Sequence, residues 1–195
     1  MKNWTALIPL KLADPKTRLA GLLNSEERRI LMERLARHVT GVLHRCKAID
    51  RIVVMSEHRP DWLSGEWRND GGAPLNDALA AFRGDFGSSP LLVIHADLPM
   101  LTYFDLTKLL DAGQRHGAAL ATDRARKGTN AVALADGRDF VFQFGPDSCA
   151  LHRAQDRAMP VIERIGLAAD LDTPEDLGFL RSRGHFSALS CPSEG

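Results

Sequence analysis

The chain reads as an α/β protein, a three-layer sandwich around a mostly parallel, mixed sheet. Three observations predict this. Short apolar runs alternate with longer segments whose leucines and valines recur at helical spacing. One run, Leu91-Leu92-Val93-Ile94, is apolar on both faces, the pattern of a central strand covered above and below. The order β-α-β-α-β-α in the first part of the chain implies crossover connections, which leave successive strands parallel.

Residues 4–8, Trp-Thr-Ala-Leu-Ile, form the first expected strand, stopped by Pro9. Asn24 with Glu27 offers a capping box, and Leu31, Leu35, Val39, Val42 and Leu43 then share one helical face. Residues 49–55 are the second strand. From 59 to 74 the composition turns polar and loop-like, ending in Gly71-Gly72-Ala73-Pro74, and a helix is expected over 75–82. Thr102 with Asp105 makes another capping box, opening a helix through Leu106, Leu109 and Leu110.

Residues 118–122 and 130–134 are short strands flanking a basic loop at 123–128. Residues 140–144 alternate in part before Gly145-Pro146 and are expected to form a strand. A helix over 147–157 and a strand over 161–165 follow. Thr173-Pro174-Glu175-Asp176 supplies an N-cap, a proline at the first helical position and acids in the first turn, so a last helix should run to about Arg183. The expectation is one domain over 1–183 and a polar tail over 184–195.

Hydrophobic residues make up 44% and charged residues 26%, as in ordinary globular proteins. The 25 basic and 25 acidic side chains cancel, which argues against a general nucleic-acid binder while allowing a locally positive phosphate pocket. No apolar run has the length of a membrane span. Cys46, Cys149 and Cys191 show no paired spacing and no signal peptide precedes them, so a reducing cytoplasm is expected. Cys149 and His152 lack the second pair that a zinc site needs. There is no Gly-x-Ser-x-Gly elbow and no Walker loop.

The residues with chemistry cluster where strands should end, and open α/β sheets bind ligands in the crevice beyond those ends. Asp97 directly follows the most apolar strand, and Asp170 and Asp172 follow a later one. A hard cation needs only one or two carboxylates when phosphates and waters complete its shell. Asp97 equally fits a turn before Pro99, and Asp172 a helix cap. Lys11, Lys16 and Arg18 share the loop after the first strand, where a triphosphate would need positive charge, although basic loops are also common as solvated surface.

Gly128-Thr129-Asn130 and Gly145-Pro146-Asp147-Ser148 combine close backbone approach with hydroxyl donors, and Asp147 or Ser148 also fits an N-cap. Gly71 to Asn76 could frame a base pocket, with Asn76 either reading the base or capping the next helix. These elements together point to a metal-dependent enzyme acting on a nucleoside triphosphate.

At these residues the chain resembles the 2-phospho-L-lactate guanylyltransferase family of deazaflavin coenzyme F-420 biosynthesis. The likeness runs from Thr5 to Leu180. It lies in Ile8-Pro9-Leu10-Lys11 with Lys16-Thr17-Arg18-Leu19, in Leu75-Asn76, and in Ala96-Asp97-Leu98-Pro99. It continues in Gly128-Thr129-Asn130-Ala131, Phe144-Gly145-Pro146-Asp147-Ser148 and the stretch from Asp170 to Leu177. The sequence departs from the family's pattern at Asp77, at Ser56-Glu57 and over 59–72.

The resemblance implies a Rossmann-like, glycosyltransferase-A-type nucleotidyltransferase fold. It implies transfer of GMP from GTP to 2-phospho-L-lactate, phosphoenolpyruvate or 3-phosphoglycerate, with Mg2+ as cofactor and pyrophosphate as leaving group. By position, Asp97 and Asp170 match metal-binding aspartates, with Asp172 the alternative to Asp170. Thr129, Gly145 and Ser148 match residues that hold the phosphorylated acid. Leu10, Lys11, Arg18, Leu75 and Asn76 are the expected nucleotide contacts, and Lys11, Lys16, Arg18 and Asp97 the expected catalytic groups. Competing expectations are a relative using CTP or another nucleotide, and a non-catalytic nucleotide-binding domain. No nucleic-acid or membrane partner is expected; a homodimer and hand-over of product to the next enzyme of the pathway are compatible with the reading.

Overall fold

The computed structural model describes residues 3–184, so the expected tail lies outside the described residues apart from Gly184. Seven strands form one sheet. They are β1 (Trp4–Pro9), β2 (Ile49–Ser56), β3 (Glu66–Asn69), β4 (Leu91–Ile94), β5 (Ala118–Thr122), β6 (Thr129–Leu134) and β7 (Val161–Ile162). Their spatial order is β3-β2-β1-β4-β6-β5-β7. β6 pairs antiparallel with both β4 and β5, and the other pairings are parallel. The mostly parallel mixed sheet is therefore as the sequence predicts.

Six helices accompany it: α1 (Ser25–His44), α2 (Leu75–Phe86), α3 (Tyr103–His116), α4 (Ser148–Gln155), α5 (Ile165–Ala168) and α6 (Pro174–Ser182). Capping boxes start three of them. Asn24 and Glu27, Thr102 and Asp105, and Thr173 and Asp176 each exchange side-chain-to-backbone hydrogen bonds.

Strand alternation divides the core into layers. Ala6, Ile8, Leu92 and Ile94 pack with Val39 and Leu43 of α1 and Leu106 and Leu109 of α3. Leu7, Val53, Leu91, Val93 and Val132 pack on the other side with Leu79 and Phe82 of α2. A third cluster joins Leu31 and Leu35 of α1 to Leu177 and Leu180 of α6. Helices on both faces of β1 and β4 explain why those strands are apolar throughout.

Three local expectations need correction. Residues 140–144 do not form a strand; they run as irregular chain with Phe142 buried against the α2 face of the sheet. The aromatic run is therefore a packing pattern, and its amides bond to side chains instead of a ladder. The expected strand over 161–165 is only Val161–Ile162, because Ile165 already begins α5. The polar stretch read as a loop contains β3, which adds to the exposed edge of β2. An edge strand with little apolar content gives no alternation signal to read.

Candidate active site

The crevice beyond β1, β2 and β4 is a cleft of about 950 Å³. Its walls come from the segments that follow those strands, including Leu10 to Thr17, Glu57 and His58, and His95 to Asp97. Asp70, Gly72 to Leu75 and Asp172 also line it. This is where an open α/β sheet places a ligand.

The loop after β1 is held from both ends. The Leu10 amide donates to the Met55 carbonyl at 2.8 Å. On the other side Arg28, buried in α1, donates to the Pro15 and Leu23 carbonyls at 3.0 Å each and pairs with Asp14. Asp14 and Lys16 both adopt left-handed backbone, with φ of 40° and 56°. Non-glycine residues rarely take this conformation, and Arg28 is what holds it here.

So placed, Lys16 reaches into the sheet edge. Its ammonium donates to Asp97 and, at 2.6 Å, to Asp172 Oδ1. Arg18 lies further out, 3.7 Å from Asp172 Oδ2 with its side chain mostly exposed. The two carboxylate segments are tied directly, since the Leu171 amide donates to the Asp97 carbonyl at 3.1 Å. Asp176, not Asp172, satisfies the amides at the start of α6, taking those of Asp172 and Thr173 at 3.2 and 2.9 Å. The capping alternative for Asp172 is thereby removed, and its carboxylate faces the lysine.

The carboxylates differ electrostatically. Burial opposes the charge on Lys16, yet Asp97 and then Asp172 outweigh it and raise the lysine above its ordinary pKa. Burial likewise pushes the Asp97 carboxyl up, but Lys16 foremost holds it below the usual range. For Asp170, burial and then the negative charge of Asp97 push the carboxyl up to about 6, against one hydrogen bond from Asn130 Nδ2 at 3.3 Å.

Among the described residues no three His, Cys, Asp or Glu side chains form a complete metal cage. The groups present nevertheless fit a hard cation completed by water and phosphate oxygens. Asp97 Oδ1 is buried with no hydrogen-bond partner among the described residues, and a positive charge from Lys16 already stands between Asp97 and Asp172.

Of the expected site residues, Leu10, Lys11, Lys16, Leu75, Asp97 and Asp172 line this cleft. Asp170 does not line the cleft; it accepts from Asn130 Nδ2 at 3.3 Å. Asn76 spends both ends of its amide on Phe144, donating to its carbonyl at 3.1 Å and accepting from its amide at 2.8 Å.

Thr129, Gly145 and Ser148 gather in a second cluster. The Ser148 amide donates to the Gly145 carbonyl at 3.2 Å, and the Cys149 amide to the Lys127 carbonyl at 2.9 Å, which docks the start of α4 beside the start of β6. Gly145 has φ of 130°, a conformation that side chains rarely adopt. Ser148 Oγ is buried and has no hydrogen-bond partner among the described residues. Phe144 joins the two clusters, its ring 5.2 Å from that of His95 in the cleft and 5.1 Å from that of His152 on α4.

Arg28 and His95 have no role in the sequence expectations, Asn130 enters them only as part of Gly128-Thr129-Asn130, and His152 only as a zinc candidate with Cys149 that lacks a second pair. Arg28 and Asn130 are nonetheless legible as charged and polar residues on otherwise buried faces.

Solved structures of like shape include a nucleotide-diphospho-sugar transferase, described as putative, from Desulfovibrio desulfuricans G20. It superposes with a TM-score of 0.72 at 17% identity, covering 97% of this chain and 94% of its own. A 4-diphosphocytidyl-2C-methyl-D-erythritol synthase from Anaerococcus prevotii superposes with a TM-score of 0.58 at 14% identity, covering 93% and 96%. At such identities they establish the nucleotidyltransferase fold.

Sequence relatives are nearer. The phosphoenolpyruvate guanylyltransferase of Sphaerobacter thermophilus is 36% identical over 95% of this chain and 96% of its own. That of Rubrobacter xylanophilus is 35% identical over 92% and 94%. The model of the family described as "Guanylyl transferase CofC like" matches residues 4–187, nearly the whole sequence, and the chain belongs to that family of nucleotidyltransferase enzymes.

Proposed function

We propose that this protein transfers GMP from GTP to a phosphorylated three-carbon acid, with Mg2+ as its cation and phosphoenolpyruvate as the first acceptor to test. The acceptor follows from the names of the relatives at 35–36% identity. 2-Phospho-L-lactate and 3-phosphoglycerate are the other candidates, and a place in coenzyme F-420 biosynthesis in the cytoplasm belongs to the same proposal. Consistently, no helix among the described residues is long and apolar enough to cross a membrane. The observation that carries the reading is Lys16 held between Asp97 and Asp172 at the floor of the cleft.

The chemistry asks little of a general base. A phosphate oxygen of the acid is ionised at neutral pH; it forms a bond to the α-phosphorus of GTP while the bond to the β-phosphate bridging oxygen breaks and pyrophosphate leaves. Catalysis then comes from positioning and from charge neutralisation. Asp97 and Asp172, with Asp170 behind them, would hold the divalent cation, which would neutralise phosphate charge when bound. Lys16 exchanges its carboxylate partners for phosphate oxygens, and Lys11 and Arg18 meet the outer phosphates. Thr129, Gly145 and Ser148 hold the acceptor, with the partnerless Ser148 hydroxyl as one donor.

The test offers GTP and Mg2+ with each acid in turn and follows pyrophosphate release and product mass. A panel with CTP, ATP and UTP in place of GTP distinguishes this reading from a cytidylyltransferase. Because the product is an acid anhydride of two phosphates and can be labile, a coupled assay with the next enzyme guards against missing it.

A further inference from the structure

His152 is fully buried and lies one helical turn after Ser148, so both face the sheet from α4. Its two nitrogens are committed to different segments. The Gln143 amide donates to Nε2 at 2.8 Å, and Nδ1 lies 3.0 Å from Thr129 Oγ1. A backbone amide can only donate, so Nε2 carries no proton. The neutral ring must then carry its proton on Nδ1 and donate it to the threonine oxygen. Burial keeps the ring neutral, lowering its pKa to about 4.

The consequence falls on Thr129. Its oxygen is used as an acceptor from the ring, which leaves its own O–H, buried at the start of β6, to donate to a second partner. The same ring packs at a tilt on Phe140 and edge-on against Phe144, at 5.2 and 5.1 Å, fixing the irregular chain that leads into Gly145 and Ser148. One side chain thus connects the three elements that carry Thr129, Gly145 and Ser148.

We propose that His152 is a positioning residue for the acceptor: it sets the Thr129 hydroxyl as a donor toward the anionic acid and holds the 140–144 segment that leads into Gly145 and Ser148. The identity of the acceptor rests on the proposed function; the hydrogen-bond chain does not. His152 acts through Thr129 and the Gln143 amide and touches no reacting atom.

Two measurements on the full chain test this. Long-range 1H–15N correlation spectra at pH 7, with the signal assigned by its absence in His152→Gln, should show His152 neutral with its proton on Nδ1. A proton on Nε2, or a charged ring, overturns the proposal whether or not any variant is active. The second compares His152→Phe, His152→Gln and Thr129→Val, reading acceptor KM in turnover and GTP affinity by calorimetry without acceptor.

His152→Phe should raise the KM for phosphoenolpyruvate about tenfold or more, with GTP affinity within about twofold of the parent, the loss expected of one buried donor. His152→Gln, which can both accept from Gln143 and donate to Thr129, should recover most of it. Adding Thr129→Val to His152→Phe should cost little more than either alone. Equal damage to GTP affinity and acceptor KM, or additive losses, overturns the proposal in favour of a purely structural role. If the parent protein neither turns over nor binds any of the three acids, the proposed function fails first, and the nitrogen carrying the proton still decides the geometry.

Discussion

Lys16 Nζ stands 2.6 Å from Asp172 Oδ1 while donating to Asp97 Oδ2, joining residues 81 and 156 positions away in the chain. An ammonium thus stands between the two carboxylates that, in the proposed function, would hold a divalent cation. Replacing it separates its two effects. Lys16→Met leaves Asp97 without its counter-charge, and breaking a buried pair is destabilising; with Asp172 partly exposed, the loss should be on the order of 1–3 kcal/mol, or a few degrees in Tm. Mg2+ or Mn2+ alone should restore much of that in the variant and move the parent less. Thermal melts with and without chelator read both, and equal cation responses in the two proteins would count against the arrangement.

Asp170 is a carboxylate whose surroundings disfavour its charge. Burial and the charge of Asp97 push its carboxyl up to about 6, so at pH 7 the folded protein holds an ionised group that its surroundings disfavour. Asp170→Asn should therefore raise stability at pH 7, by no more than about 3 kcal/mol, while turnover falls. Urea unfolding and pyrophosphate release decide it. A destabilised variant of normal activity would remove Asp170 from the site.

Ser148 Oγ is buried with no partner among the described residues, so its removal sacrifices no hydrogen bond to them. Ser148→Ala should leave Tm within about two degrees of the parent, since only an unmade bond is lost. The acceptor KM should rise about five- to tenfold, with GTP affinity held. An unchanged acceptor KM would exclude the hydroxyl from acceptor binding.

The acid side of the stability profile should carry the signature of His152. Its ordinary pKa is near 6.5 and burial lowers it to about 4 in the folded chain. Between those values the unfolded chain takes up a proton that the folded one does not, so stability falls as pH drops. The loss from this group should reach about 2 kcal/mol by pH 5, and His152→Gln should flatten that part of the curve. Urea midpoints at pH 7 and pH 5 provide the comparison; parallel losses in parent and variant would place the acid sensitivity elsewhere.

Much of this was legible in the sequence because it depended on local rules. Asn24, Thr102 and Thr173 announce helices through capping chemistry that acts over three residues, and all three boxes form. Asp97 was placed at the sheet edge by the apolar strand before it. The ion pairs of Lys16 were not legible, since they depend on a left-handed backbone fixed by Arg28 from another element. Nor was the role of residues 140–144, whose aromatic alternation imitates a strand while their amides are taken by Asn76, His152 and Gln155. β3 escaped because an exposed edge strand need bury nothing.

GMP transfer should depend on the carboxylates around Lys16, which mass spectrometry of the reaction products checks. With GTP, Mg2+ and phosphoenolpyruvate, the parent protein should yield the guanylylated acid and one pyrophosphate per product. Asp97→Asn, folded by circular dichroism, should yield less than about a hundredth as much, the scale set by losing one group that stabilises transition-state charge. Absence of guanylylated product from all three acids, or a near-normal yield from Asp97→Asn, would contradict the account.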